Sequence, residues 1–175
     1  MTPVAAWPPL DVYASKASIV LEVINTHFTV GREYKSVYLR VFSDRVAECH
    51  YVRYGMEGEA DKEKTKLLSP SDFKRLRSVL ENPELASVND KYGLMHWVVD
   101  SWMTWDIDVH RETDIQKIEI VSFSPSSARE RGQPYPDAVL KLGCAIWQLR
   151  REVYGRDSAN DPMWERRSCD EELGK

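Results

Sequence analysis

The feature of this sequence that most restricts its fold is the strict alternation of apolar and polar residues over 103–110. Met, Trp, Ile and Val alternate there with Thr, Asp, Asp and His. A period of two residues is that of a β-strand with one face in the core. After a four-residue turn a second such segment follows. Folding back there pairs Trp105 with Ile120 on the inner face and Asp108 with Lys117 on the outer face, so the alternation predicts an antiparallel β-hairpin.

A second hairpin is predicted between residues 37 and 53, where two alternating segments are separated by a tight turn over 43–45. Pairing across this turn sorts the side chains into two faces. The predicted inner face holds Val37, Leu39, Val41, Ala47, Cys49 and Tyr51, and the predicted outer face carries Tyr38, Arg40, Glu48 and His50. A further strand is predicted over 18–30, which is rich in β-branched and aromatic residues.

Two segments have the period of about 3.6 residues that amphipathic helices show. The first begins with Ser69 as N-cap and Pro70 at the first helical position, and it ends near Glu81. The second extends over about 137–154, with Asp137 in its first turn, where a carboxylate favours the helix dipole. The apolar stripe of this second helix consists of Val139, Leu142, Ile146, Leu149 and Val153.

Together these elements predict a single α+β domain. An antiparallel sheet of about five strands, built from β-hairpins, would carry two amphipathic helices packed on one face and solvent on the other. Residues 1–155 are predicted to form this domain and residues 156–175 a polar C-terminal tail. A chain of 175 residues is long enough to bury one core of this kind.

The composition makes some classes of protein and some kinds of partner less favoured. Apolar residues make up 42% of the chain and charged residues 30%, and no apolar run approaches the roughly 20 residues of a membrane span. The net charge is −4, with acidic and basic residues interleaved, whereas a nucleic-acid-binding domain usually carries a basic stripe. We therefore expect a soluble protein without a membrane span, for which nucleic acid is a disfavoured partner.

The first residues lack the basic and apolar regions of a signal peptide, so a cytoplasmic location is expected, although an exported mature form would look the same. The three cysteines are an odd and widely spaced set, which is a poor disulfide framework and a poor zinc site. We expect Cys49 and Cys144 to be small buried apolar residues, and Cys169 to be exposed in the tail. No cofactor is predicted.

Asp106, Asp108 and His110 form the best candidate for a metal site. A spacing of two on a strand projects all three side chains from one face, and carboxylate and imidazole groups can hold a divalent metal. Glu119, opposite Asp106, could add a further ligand. Strict alternation also explains the pattern as the wet face of an amphipathic strand, with Asp108 paired to Lys117. The sequence alone favours this structural interpretation.

Aromatic and methionine residues concentrate in the segment 92–105, which contains Trp97 and Trp102. Trp and Met are favoured at protein interfaces, and Met163 with Trp164 adds a second such pair in the tail. The segment could instead cover a small-molecule pocket as a lid, or brace a loop against the core.

The sequence contains no motif of P-loop NTPases, α/β-hydrolases, zinc metalloproteases or dinucleotide-binding proteins. We therefore expect a protein-interaction module without catalytic activity, such as an adaptor, an accessory subunit or an inhibitor-type protein. Its contacts would lie at the tryptophan and methionine residues named above. The alternative is a small metal-dependent enzyme or ligand-binding domain that uses the carboxylates and imidazole of residues 106–110.

Overall fold

The computed structural model describes residues 17–29, 31–51, 62–88, 91–93, 101–154 and 169–171. Within these residues the strands form one sheet with the order β4-β3-β2-β1-β6-β7-β5. The elements in chain order are β1 (Ile19–Thr29), β2 (Arg32–Phe42), β3 (Val46–Tyr51), β4 (Lys62–Leu67), α1 (Pro70–Leu80), α2 (Pro83–Ala86), β5 (Lys91–Gly93), β6 (Ser101–His110), β7 (Ile115–Val121), α3 (Pro125–Glu130) and α4 (Asp137–Tyr154).

The sheet confirms the predicted α+β class and its mostly antiparallel character. Neighbouring strands pair antiparallel except β5 and β7, which are parallel. Strand β1 pairs with β6 and thereby joins the β2–β3 and β6–β7 hairpins into one sheet. The registers place Val41 opposite Ala47 in the first hairpin and Trp105 opposite Ile120 in the second, which are the pairs that the alternation predicts.

The predicted numbers of strands and helices were too low. Strand β4 has the sequence KEKTKL, in which no alternation of apolar residues marks a strand. It lies at the edge of the sheet, where charged side chains are common because they discourage pairing with other chains. Strand β5 and helices α2 and α3 are each too short for a periodic pattern to appear in the sequence.

Helices α1 and α4 are the two that the helical period predicts, and both bury their apolar faces. The hydroxyl of Ser69 caps α1 by accepting a hydrogen bond from the backbone N–H of Asp72, and Pro70 occupies the first helical position. Helix α4 contacts β2, β3, β4 and α1, and so closes the core over this part of the sheet. Every member of its predicted stripe is buried, namely Val139, Leu142, Ile146, Leu149 and Val153.

Two polar side chains of the β6–β7 hairpin hold α1 and α2 against the sheet. Arg111 donates to the carbonyl oxygen of Leu80, the last residue of α1, at 3.1 Å. Gln116 donates to the carbonyl oxygens of Leu85 and Val88 at 2.6 and 2.5 Å. The carbonyl group of Leu80 ends α1 and has no partner within that helix, so Arg111 satisfies an acceptor that would otherwise be costly to bury. The carbonyl group of Leu85 also accepts from the backbone N–H of Val88 at 3.0 Å, so Gln116 adds to the hydrogen bonds that fix α2 and the residues after it.

A β-bulge in β2 corrects the predicted faces of the first hairpin. Val23 pairs with Leu39 in the register of β1 with β2. The next residue, Ile24, pairs with Val37, so Tyr38 is the extra residue of the bulge. Val37 is buried outside the main core cluster, on the face of Ile24, whereas Tyr38 packs against that cluster. The predicted inner position of Val37 and outer position of Tyr38 were therefore wrong. The bulge moves the side chains that follow it to the opposite face of the sheet, and the sequence gives no sign of this because its apolar and polar residues still alternate.

The outer face of the sheet is not wholly solvated, contrary to the prediction. Arg40 is 9% exposed and Glu48 is 2% exposed. Thr104 and Val121, a cross-strand pair on the same face, are buried as well. A polar residue on this face can therefore be buried even though it points away from the helices.

A disulfide between Cys144 and Cys169 corrects two predictions, namely that the cysteines are a poor disulfide framework and that Cys169 is exposed, whereas the predicted burial of Cys144 is confirmed. Cys144 lies on α4 and Cys169 in the described segment 169–171, and both are buried. The bond spans a sequence separation of 25, for which the chain-entropy model gives a stabilisation of about 3.5 kcal/mol. The spacing of the cysteines could not reveal this pair, because pairing depends on their approach in the folded chain, where the Cα atoms are 5.7 Å apart.

Gly143 allows the ring of Phe123 to pack directly on the backbone of α4. A Cβ atom at position 143 would lie 2.2 Å from the end of that ring. The ring cannot move aside easily, because it is enclosed by the rings of Trp105, Tyr135 and Trp147, whose centroids lie 5.4, 5.1 and 4.6 Å away. Packing, and not an unusual backbone conformation, therefore requires glycine at this position.

Replacing this glycine tests the packing of α4 on the sheet. We expect Gly143→Ala to lower the free energy of unfolding by about 1–3 kcal/mol, although alanine is favoured over glycine within a helix by about 1 kcal/mol. Urea unfolding followed by circular dichroism measures the change. Gln148→Ala, at a half-buried position of the same helix, is the matched control and should stay within about 0.5 kcal/mol of wild type. A Gly143→Ala variant at least as stable as wild type would contradict the packing.

Candidate functional site

Three apolar side chains lie together where β1 ends and β6 begins, and we call Phe28, Trp102 and Met103 the aromatic end of the sheet. Phe28 and Trp102 are cross-strand neighbours whose rings stack, with centroids 4.8 Å apart and planes at 17°. Trp102 is 36% exposed and Met103 is 43% exposed. Stacking thus fixes the orientation of an indole ring that remains partly accessible to solvent.

The aromatic end presents apolar surface on both faces of the sheet. Adjacent side chains of a strand point to opposite faces, so Trp102 lies on the outer face and Met103 on the inner face with Trp105. The alternation predicted Met103 inside the core, and its exposure corrects that prediction. The alternation of apolar and polar residues indicates which face of the sheet a residue lies on. It does not indicate whether other elements cover that face along the full length of the strand.

Charged residues border the aromatic end. Glu33 lies opposite Phe28 in the register of β1 with β2, and its carboxylate is 3.2 Å from the ammonium group of Lys35. His27 lies opposite Met103, and burial lowers the pKa of its imidazole, which favours the neutral form at physiological pH. An apolar centre with a charged border is the usual arrangement of a protein–protein interface.

Among the residues predicted for interaction, Trp102 lies in the described part of the chain and is exposed. Trp97, Met163 and Trp164 lie outside the described residues. Nothing in the sequence distinguishes Phe28 from the other apolar residues of the predicted strand over 18–30. Its place in the site depends on the pairing of β1 with β6, which brings together segments that are distant in the sequence.

The metal candidates Asp106, Asp108 and His110 lie on the outer face of β6, and Asp108 among them forms an ion pair. The carboxylate of Asp108 accepts hydrogen bonds from Lys117 at 3.0 and 3.1 Å. Asp106 lies opposite Glu119, which is paired with Lys91 of β5 at 2.5 Å. The charged side chains therefore link β6, β7 and β5 to one another.

The geometry of this face favours the structural interpretation over a metal site. Within the described residues, no group of three or more His, Cys, Asp or Glu side chains is placed to hold a metal ion. Burial raises the pKa of Asp106, and repulsion from Glu119 and Asp108 adds to this effect. The surroundings of Asp106 thus oppose the ionisation of its carboxyl group.

The raised pKa of Asp106, caused first by burial and then by the neighbouring carboxylates, predicts a pH-dependent gain in stability for Asp106→Asn. Because the folded state raises the pKa of Asp106 above its usual value of 3.8, its contribution to stability is present below that value and is lost as the pH rises through the folded-state pKa. Asparagine cannot ionise, so the variant should melt a few degrees above wild type near pH 7, and the gain should vanish near pH 3.

Thermal unfolding at both pH values measures this effect. Asp108→Asn is the comparison variant: it removes a carboxylate that Lys117 stabilises and only a minor part of the repulsion on Asp106, so its gain should be smaller than that of Asp106→Asn. A gain of equal size for Asp106→Asn at both pH values would show that the ionisation of Asp106 is not its cause.

Cys49 is a core residue, as the sequence predicted. Its side chain is fully buried, and burial raises the pKa of the thiol to about 12. Because the thiolate is the reactive form of cysteine, this group is inert at neutral pH. Thiol chemistry at Cys49 is therefore not a basis for function.

Glu22, Arg40 and Glu48 form an ion triad across β1, β2 and β3. Arg40 donates from Nε to a carboxylate oxygen of Glu22 at 2.5 Å and from a terminal nitrogen to Glu48 at 2.6 Å. The sequence predicted Arg40 opposite Glu48 on a solvated face, and the register is as predicted, but the pair is buried and Glu22 joins it. Burying these charges costs desolvation free energy that the close pairing offsets, so the triad is a structural link between the strands.

Removing the central cation of this triad should destabilise the fold strongly. We expect Arg40→Met to cost about 3–5 kcal/mol, because two carboxylates are left without the charge that compensates them. Chemical unfolding gives the free-energy change. The triple variant Glu22→Gln, Arg40→Met, Glu48→Gln removes all three charges and should recover most of the loss. If Arg40→Met is as stable as wild type, the triad does not support the sheet.

The chain matches no protein family model, and no curated protein matches it in sequence. In the part of the chain that the structure describes, the helices fall short of the length and apolar character that crossing a membrane requires.

Proposed function

We propose that the chain is a protein-interaction module that binds a partner protein through the aromatic end of its sheet. The observation that carries the proposal is a stacked, partly exposed tryptophan, with an exposed methionine next to it in the strand on the opposite face. Trp and Met are enriched at interfaces, and a tryptophan that a partner buries often contributes a large share of the binding free energy. An adaptor, an accessory subunit or an inhibitor-type protein would each use such a surface.

The fixed orientation of Trp102 supports a role in binding. Its ring is held by the stack with Phe28 and by the register of β6 with β1. A side chain that is already ordered loses less conformational entropy when a partner covers it. The aromatic end is therefore preorganised for contact.

The edges of the sheet favour docking of side chains over strand addition as the mode of binding. Peptides that extend a sheet need an accessible edge strand with free backbone groups. Edge strand β4 carries three lysines in six residues, which is a common protection against such pairing, and the described part of edge strand β5 is three residues long. Binding by the exposed apolar side chains is the mode that remains.

The chemistry of the surface indicates the kind of partner. Its centre is apolar, and the neighbouring pair of Glu33 and Lys35 carries both signs of charge. A complementary partner would offer an apolar pocket for Trp102 with polar groups of either sign around it. The net charge of −4 makes nucleic acid a poor alternative.

The disulfide between Cys144 and Cys169 supports the exported alternative over the cytoplasmic location expected from the sequence. Disulfides of this kind form and persist in oxidising environments such as the bacterial periplasm or the extracellular space. We propose that the module meets its partner in such a compartment.

Binding measurements with variants of the aromatic end test this function. A partner recovered by crosslinking with the wild-type chain is purified, and its affinity is measured by calorimetry. We expect Trp102→Ala to weaken binding about thirtyfold, which corresponds to a loss of about 2 kcal/mol. Met103→Ala should weaken binding in the same direction.

Ile115→Ala is the matched control, because Ile115 is a large apolar residue that is 49% exposed on β7, outside the aromatic end. It should bind as wild type. Trp164→Ala tests the predicted contribution of the tail separately. If Trp102→Ala and Met103→Ala both retain wild-type affinity while remaining folded, the aromatic end is not the binding surface.

A further inference from the structure

Asn25 places a buried amide on the apolar inner face of β1. On this face it follows Leu21 and Val23 at the spacing of two residues that a strand requires, and it lies opposite Trp105 of β6. It is 5% exposed, although asparagine is depleted in strands and is mostly found at the surface. A residue that departs in this way from the pattern of its own strand is a candidate for a functional role.

The side-chain oxygen of Asn25 is a buried hydrogen-bond acceptor. No group in the described part of the chain donates a hydrogen bond to it. A buried acceptor without a donor lowers the stability of the fold, whereas an apolar side chain of the same shape would not. A ligand that brings its own donor would recover this free energy on binding.

The layer that covers the inner face ends beside Asn25. Trp105 is buried and its ring packs against that of Phe123, whereas Met103, two residues earlier on the same face, is exposed. His27 lies opposite Met103 and is half-buried. The covering side chains therefore end between Trp105 and Met103, which leaves a step in the surface. We call the surface formed by Asn25, His27 and Met103 at this step the inner notch.

We propose that the inner notch binds a small uncharged molecule that has a flat apolar body and one N–H or O–H group, and that this group donates a hydrogen bond to the side-chain oxygen of Asn25. The apolar body lies against the thioether of Met103, since thioethers make favourable contacts with aromatic rings. This binding does not rest on the docking of a partner protein at Trp102, which lies on the outer face.

The spacing of the notch residues fits a ligand of this size. Asn25 and His27 are two residues apart on one strand, which corresponds to about 7 Å, a span that a bicyclic ring can bridge. The χ2 torsion of asparagine has a broad preference, so rotation of the amide can turn its oxygen towards the exposed side of the step. A ligand that lies on Met103 can therefore reach this oxygen with a donor at one end.

The side chains of the inner notch favour an uncharged ligand. Burial lowers the pKa of the His27 imidazole, so the ring is neutral near pH 7 and offers no positive charge to an anion. The amide of Asn25 and the thioether of Met103 do not ionise, and Ser36, opposite Asn25 on β2, adds another uncharged polar group. An ionised ligand would lose hydration here without gaining an ion pair.

Titration of the isotopically labelled full chain with indole, followed by NMR, tests this site. Indole has a flat apolar body and one N–H donor, and N-methylindole is the matched probe without the donor. We expect indole to shift the amide signals of Asn25, His27 and Met103. It should bind about tenfold more tightly than N-methylindole, which corresponds to one hydrogen bond. Equal affinity of the two probes, or shifts confined to other parts of the chain, would overturn the proposal.

The variant Asn25→Leu tests the role of the amide. Leucine is similar in size and removes the buried acceptor, so the melting temperature should rise by about 2–4 °C. The affinity for indole should fall about tenfold, to that for N-methylindole. A lower melting temperature would show that an ordered water or another group of the chain already donates to Asn25, and would overturn the proposal. Unchanged affinity of Asn25→Leu for indole would do the same.

Thr26→Val is the matched control on the opposite face of the same strand. The hydroxyl of Thr26 is also buried, and the described residues offer it no hydrogen-bond partner. Thr26 lies opposite Thr104 on the outer face, away from the inner notch. Its replacement should leave the affinity for indole unchanged. An equal loss of affinity in Thr26→Val and Asn25→Leu would place indole outside the inner notch and contradict the proposal.

Discussion

The antiparallel pairing of β1 with β6 is the contact on which the rest of the structure depends. It joins the two hairpins and places Val23 opposite Ile107, so that the inner faces of both hairpins point to the same side. A slip of one residue would turn every side chain of a strand to the opposite face. The same register decides which side chains meet α4 in the core, and it places Phe28 beside Trp102 at the aromatic end.

The bulge at Tyr38 shows how one extra residue redistributes side chains over the two faces. It brings the ring of Tyr38 to 4.8 Å from that of Trp105 and beneath the guanidinium of Arg150, which lies 3.9 Å from the ring centroid. Arg150 also donates to the carbonyl oxygen of Tyr38. At the same time Val37 is buried on the outer face. Both faces of the sheet are thus partly buried.

The candidate sites differ in whether their side chains already form ion pairs or hydrogen bonds with neighbouring residues. Arg40 is bound by two carboxylates and Asp108 by Lys117, so these charged groups support the sheet. Trp102 and Met103 keep accessible apolar surface, which a partner could bury. The disulfide at Cys144 is different again, because its state depends on the compartment and not on neighbouring residues.

The sequence by itself determined the elements whose pattern is local and periodic. It predicted the α+β class, the pairing of Trp105 with Ile120, the Ser69 cap and the buried stripe of α4, because alternation and helical period depend on neighbours along the chain. It could not reveal the charged edge strand β4, the bulge at Tyr38 or the burial of Glu48, which depend on what packs against them. The disulfide of Cys169, the third member of the ion triad and the exposure of Met103 were decided by tertiary structure alone. Each of these features depends on which distant segments of the chain pack together in the fold and on how far one covers another. No pattern of neighbouring residues in the sequence indicates such contacts.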